Sequence, residues 1–139
     1  MKSRNYSFLF IIFLLSACKT YSPDQLPESQ LRFGNGGGFA GIETTYTLLE
    51  NGQLFKSSSV DTVQQELNKT KIKNAKQVFE QMTALQLDSI DLNSPGNVYQ
   101  FVEKKVGTQS HRVVWTGVSE IPALDSLYHQ LVGLTVEKE

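Results

Sequence analysis

The dipeptide Asn51-Gly52 constrains this chain more than any other local feature. Both residues tolerate positive φ, which a two-residue type I′ hairpin turn requires. The segments on either side fit strands. Residues 42–49 hold Ile42, Thr44, Thr45, Tyr46 and Thr47, and residues 53–58 supply the return. A second hairpin is expected at Gly107-Thr108, joining residues 98–106 to residues 111–116 with Val113, Val114 and Trp115. Leu31, Arg32 and Phe33 form a short strand ahead of a glycine cluster, and residues 63–67 read equally as strand or helix start. Between the hairpins, Ala75, Val78, Phe79, Met82 and Leu85 recur mostly at steps of three and four, which predicts a helix over 72–87. Pro95-Gly96 breaks the chain after it. Pro122 suits the first turn of a closing helix whose apolar face is Leu124, Leu127, Tyr128, Leu131 and Leu134. Hairpins force antiparallel pairing, so the predicted class is α+β: an antiparallel sheet built from hairpins with two helices packed on one face. No internal repeat is visible.

The N-terminus follows a different logic. Lys2 and Arg4 precede an unbroken apolar run over residues 8–15, and the small residues Ser16 and Ala17 follow. This is the order of a secretory signal. The run is far shorter than the roughly 20 apolar residues that span a bilayer. Leu15-Ser16-Ala17-Cys18 resembles the lipobox of bacterial lipoproteins. The resemblance implies cleavage between Ala17 and Cys18, with diacylglycerol and a fatty acid carried covalently on Cys18. Cys18 is the single cysteine of the 139-residue chain, so no internal disulfide can form. Several acyl chains on one residue anchor a protein to the bilayer stably, whereas one holds only marginally. Lys19, in place of an aspartate, resembles lipoproteins passed on to the outer membrane of the cell envelope. Residues 19–30 are polar, contain Pro23 and Pro27 and show no apolar period, so they read as a flexible tether. The expected organisation is a signal peptide over 1–17, acylated cysteine and tether over 18–30, and one folded domain over 31–139.

Several chemistries find no support in the residues. A formal net charge of −1 leaves no electrostatic footprint for nucleic acid. Gly36, Gly38 and Gly41 match a dinucleotide-binding GxGxxG by letter, but that motif works at a helix N-terminus and a β-rich segment follows here. His111 and His129, the only histidines, have no cysteine or carboxylate at metal-ligand spacing, so no metal site is expected. No GxSxG elbow occurs, and an acylated Cys18 cannot act as a nucleophile. Asp88, Asp91 and Glu103 could meet only through the fold. Asn68-Lys69-Thr70 is a glycosylation sequon with no role expected in a bacterial lipoprotein. Tyr99, Phe101 and Trp115 read as core packing between sheet and helices rather than as a ligand-binding patch. The expectation is a non-enzymatic chain with no cofactor beyond its lipid.

Gly37-Gly38-Phe39-Ala40-Gly41-Ile42 resembles the glycine signature of emfourin-type proteins, small inhibitors of thermolysin-like metallopeptidases. The likeness continues in Phe79, Met82 and Leu85 with the Leu85-Gln86-Leu87 helix end, in the aromatic strand start at Tyr99 and Phe101, and in Pro122, Leu124 and Leu127. It covers roughly residues 31–135. The chain departs from the pattern by its signal, its tether and a longer stretch over 57–70. The resemblance implies that Asn35, Gly36, Gly37, Gly38, Phe39, Ala40 and Gly41 form a loop. Its backbone would enter the cleft of a secreted or periplasmic metallopeptidase, with Phe39 as apolar anchor. A glycine-rich bulge between two strands is the purely structural alternative. The alternative function is a non-inhibitory structural or interaction lipoprotein of the envelope.

Overall fold

A computed structural model describes residues 19–136. Six strands form one sheet: β1 (Ser29–Gly37), β2 (Thr44–Leu48), β3 (Leu54–Ser58), β4 (Gln65–Glu66), β5 (Val98–Val106) and β6 (Gln109–Trp115). Two helices, α1 (Ile72–Ala84) and α2 (Pro122–Thr135), complete it. The strand order is β4-β3-β2-β1-β5-β6, and every neighbouring pair is antiparallel. The class is α+β, as the hairpin signals predict.

The registers divide the side chains between two faces. Leu31, Leu48 and Leu54 align across β1, β2 and β3, while Phe33 aligns with Val102 and Val113 across β5 and β6. These residues share one core with Ala75, Val78 and Met82 of α1 and Leu124, Leu127 and Leu131 of α2. Both helices therefore cover the same face. Phe33 stacks on Tyr46 at 5.4 Å, and Trp115 meets the edge of Tyr128 at 5.5 Å. Trp115 also donates its indole N–H to Asp125 Oδ1 at 3.1 Å. The other oxygen of Asp125 accepts from the Ser119 amide, fixing the entry to α2. Truncating a buried leucine in such a core costs about 2–5 kcal/mol.

The opposite face obeys a second rule. Gly34 lies opposite Phe101 and Gly36 opposite Tyr99. A Cβ at Gly34 would stand 1.9 Å from the Thr44 carbonyl oxygen and 3.2 Å from the Phe101 ring, and one at Gly36 would stand 2.6 Å from the Tyr99 hydroxyl. The two aromatic rings occupy the space that missing side chains leave on β1. Trp115 pairs with Gln100 and so faces the helices, while Phe101 and Tyr99 face away. Packing between sheet and helices thus accounts for Trp115 and not for Phe101 or Tyr99.

Four expectations are corrected. The hairpin at Asn51-Gly52 forms, but not as a type I′ turn. Only Gly52 has positive φ (+90°), and the Gly52 amide bonds the Leu49 carbonyl at 2.9 Å. The loop is a tight turn closed by a left-handed glycine, the longer of the common hairpin solutions. The first helix stops at Ala84 rather than at residue 87. Gln86 takes a left-handed conformation (φ +53°), and a short 3-10 turn, Leu87–Ser89, follows and buries Leu87. The first strand runs straight through the glycines to Gly37. Finally, residues 19–30 are not a flexible tether. Ser29 and Gln30 belong to β1, and the segment before them is hydrogen-bonded to the sheet. The Tyr21 amide and the Lys19 and Tyr21 carbonyls find partners in the side chains of Gln53 and Asn51, which composition alone does not reveal.

Gly34→Ala is expected to destabilise the fold by about 3 kcal/mol, because overpacking meets backbone on one side and a ring on the other. Gly38→Ala, with nothing within 4 Å of its Cβ, should cost only about 1 kcal/mol for the left-handed backbone. Urea-denaturation midpoints of the two variants test this order.

Candidate functional site

The sheet has two distinct ends. Register places Gly37, Thr44, Ser58, Val98 and Trp115 at one, here the apical end. At this end Gly38, Phe39, Ala40 and Gly41 make the turn between β1 and β2. The Gly41 amide bonds the Gly38 carbonyl at 3.2 Å, and the Gly38 amide bonds the Asn97 carbonyl at 2.7 Å. Gly37, Gly38 and Gly41 have φ of +94°, +75° and +60°, values that L side chains rarely adopt. Phe39 sits between them with its ring fully in solvent, at 111 % relative exposure.

The sequence-predicted loop over 35–41 is therefore shorter than expected. Asn35, Gly36 and Gly37 are strand residues paired with Gln100, Tyr99 and Val98. Their backbones are paired within the sheet, Asn35 also with Thr44 of β2, so they are not free to be lent to a partner. A Cβ at Gly37 would lie 2.1 Å from the Asn97 carbonyl oxygen, so that glycine is also a packing requirement. Gly38, Phe39, Ala40 and Gly41 alone project. Ala17 and Cys18, the predicted cleavage and lipidation residues, lie outside the described residues.

Phe39 is not isolated. Among the described residues nine large apolar side chains are exposed; Phe39, Ile42, Val60, Val63 and Val118 belong to apical connections, and Val98 is the apical first residue of β5. The other three are Ile72, Val106 and Val136. Hydrogen bonds tie the apical connections side by side. The Ser59 amide donates to the Glu43 carbonyl at 2.8 Å, and Gln100 Nε2 donates to the Gly117 carbonyl at 2.7 Å. Val60, Val63, Val98 and Val118 were not legible as site residues. The available signal was a lone valine within a polar run, as in Ser58-Ser59-Val60-Asp61 and Gly117-Val118-Ser119.

Behind this rim, on the face away from the helices, lies a charge network. Arg112 holds Glu43 through two bonds, Nη1 to Oε1 at 3.1 Å and Nη2 to Oε2 at 2.6 Å. The Tyr99 hydroxyl donates to the same Oε2 at 2.7 Å. Glu103, almost fully buried, takes Arg32 at 3.3 Å and lies 3.8 Å from Arg112. The Arg112 guanidinium rests 3.6 Å above the Phe101 ring. Burial pushes the Glu43 carboxyl up, but the bonds from Arg112 and Tyr99 and the charges of Arg112 and Arg32 outweigh it and hold it below its ordinary value of 4.5. The Tyr99 phenol is raised, first by its bond to Glu43 and then by burial. Each carboxylate already has a cation, so the network fixes the start of β2 and thereby the turn.

The remaining candidates are scattered. His111 Nε2 lies 2.9 Å from the Ile90 carbonyl oxygen, and His129 packs on Tyr128. Asp88 pairs with Lys104. Glu103 belongs to the arginine network, so the fold does not bring Asp88, Asp91 and Glu103 together as a carboxylate pair. Among the described residues no group of three or more histidine, cysteine or acidic side chains could hold a metal ion, and no helix is long and apolar enough to cross a membrane. No protein-family model matches the chain, and no characterised protein matches it significantly.

Arg112→Leu removes the largest opposing influences while leaving burial in place, so the Glu43 titration midpoint should move upward. Because the folded carboxyl is depressed, its contribution to stability is complete above pH 4.5 and is lost as pH falls through the folded value. The variant should therefore lose less stability than the parent between neutral and acidic pH. Carboxyl NMR titration and acid-denaturation curves test both statements.

Proposed function

We propose that this chain is a lipid-anchored binding protein whose apical turn, with Phe39 at its tip, occupies the cleft of a thermolysin-like metallopeptidase and blocks it. The observation that carries the reading is Phe39, a fully solvated aromatic ring on a turn locked by glycines. Burying such a ring on binding contributes about 1.5–3 kcal/mol. A turn already held in shape loses little conformational entropy when it docks, which favours affinity. The glycines add a second property, since positions 38 and 41 have no side chain to keep a partner surface away from the backbone. The order basic start, apolar run, small residues and Cys18 supports the lipoprotein half of the proposal. The glycine signature's resemblance to emfourin-type inhibitors supports the choice of target. Diacylglycerol and fatty acid on Cys18 would hold the domain at the cell envelope, in the outer membrane.

One observation favours a second reading. The apolar rim extends beyond the turn to Val60 and Val118, on opposite sides of Phe39 in the sheet. A non-inhibitory envelope lipoprotein could use the whole rim against a broad protein partner. Recovery of an assembly component with the acylated protein from membranes, without any peptidase, would favour it.

Titrating residues 19–139 against a panel of thermolysin-like metallopeptidases should give stoichiometric inhibition. Phe39→Asp should weaken it on the order of a hundredfold, the loss typical of a central aromatic anchor, with no change in thermal stability. Equal inhibition by the variant would remove Phe39 from the contact. Gly37 is no substitute for this test, because a side chain there disrupts the strand.

A further inference from the structure

The segment between Cys18 and β1 leaves the domain no slack. Asn51 Nδ2 donates to the Lys19 carbonyl at 2.7 Å. The Tyr21 amide donates to Gln53 Oε1 at 2.8 Å, and Gln53 Nε2 returns a bond to the Tyr21 carbonyl at 3.0 Å. Gln53 is buried, so this clamp is anchored in the fold. Lys19 also places its ammonium 5.2 Å from the Tyr21 ring. The segment then crosses the lower end of the sheet, where the Glu28 carbonyl accepts from the Gly107 amide at 3.1 Å. Cys18 is bonded directly to Lys19, and consecutive Cα atoms are about 3.8 Å apart. A lipid on Cys18 is thus attached one residue from the Asn51 turn, at the basal end.

We infer that the basal end, around Asn51, Lys19, Lys69 and Lys71, is a membrane-facing surface that seats the domain directly on an anionic bilayer with the Phe39 turn pointing away. The inference rests on the lipoprotein reading above. β1 has nine residues, so at roughly 3.3 Å per residue the apical turn stands about 26 Å above the basal end. That spacing keeps the Phe39 turn clear of headgroups and open to a soluble partner.

Charge agrees with the placement. Residues 69–71 pass over the Asn51-Gly52 turn, where the Thr70 amide bonds the Gly52 carbonyl at 2.9 Å. Lys69 and Lys71 flank this contact, and Lys73 follows in the first turn of α1, all three exposed. Lys76 and Lys105 are further cations toward this end. The acidic groups on the same elements are Asp24, Glu28, Glu50, Glu66, Glu80 on α1 and Glu103 on β5; Glu103 is paired with Arg32 and Arg112, Glu66 accepts from Gln53 and Glu50 from Ser29. The apical connections carry Glu43, Asp61 and Glu120 and no lysine. The domain is therefore electrically polar along its strands, positive at the end nearest the lipid.

Because Cys18 is the only cysteine, the chain from residue 18 to 139 can be coupled through its thiol to a maleimide lipid in vesicles of phosphatidylcholine with phosphatidylglycerol. Acylation of each lysine by a soluble reagent then reports which end faces the bilayer. Lys69 and Lys71 should label about fivefold more slowly than in the uncoupled chain, the factor by which an anionic surface favours one nearby lysine. Lys56, on β3 over Tyr46, should be unchanged. Asn51→Ala, which frees Lys19, should restore labelling without unfolding the domain. Equal labelling at all lysines before and after coupling, or protection of Lys56 alone, would overturn the inference. The lipoprotein reading is scored separately by palmitate incorporation at Cys18 in cells. Its failure with the protection pattern intact would overturn the anchor and spare the surface. Incorporation without the pattern would do the reverse.

Discussion

The structure depends on how closely β5 can lie over β1. β1 is central, paired on one side with β2 and on the other with β5. Its helix-side residues, Leu31 and Phe33, are fully buried in the core. On its other side Gly34 and Gly36 supply no side chains, and Phe101 and Tyr99 lie in the resulting trough. Glycine in a strand loses more conformational entropy than any other residue. Rings from the neighbouring strand offset that cost by covering the bare backbone. Arg112 then covers Phe101, and its grip on Glu43 holds the start of β2.

That arrangement links the core to the turn. Tyr99 and Arg112 both hold Glu43, two residues after Gly41, so the exit of the turn into β2 is fixed against β5 and β6. The turn itself keeps only the hydrogen bonds that shape it, and its one large side chain remains in water. Among the described residues Phe33, Phe55 and Phe101 are fully buried, whereas Phe39 lies in solvent. The basal end is built in the opposite sense: its turns are covered by residues 19–28 and by the approach to α1, and Lys19, Lys69, Lys71 and Lys73 are exposed there beside Asp24, Glu28, Glu50 and Glu66.

Legibility varied with the range of the interaction. The hairpin at residues 51–52, the strand Val98–Val106, the proline start of α2 and the apolar faces of both helices follow from neighbours within a few residues, and all appear in the structure. The glycine cluster does not yield to the same reasoning. Gly34, Gly36 and Gly37 look like loop, because composition cannot show that Phe101, Tyr99 and the Asn97 carbonyl, sixty or more residues away in the chain, claim the space where their side chains would be. Residues 19–30 mislead for a related reason. They are polar and carry prolines, yet Asn51 and Gln53 bond the backbone of Lys19 and Tyr21, and the Glu28 carbonyl accepts from Gly107.

The sequence by itself therefore determined the α+β class, the antiparallel pairing, the two helix faces and the presence of an unusual glycine segment, since each is written in local periodicity and turn chemistry. Only the tertiary structure decided which glycines are strand and which are turn. It alone set Phe39 outside the core, gathered six apolar residues from separate connections and the start of β5 at one end, and docked the N-terminal segment at the other. Those outcomes depend on cross-strand register and on side chains meeting over long sequence separation, where a one-residue shift would exchange the two faces of every strand.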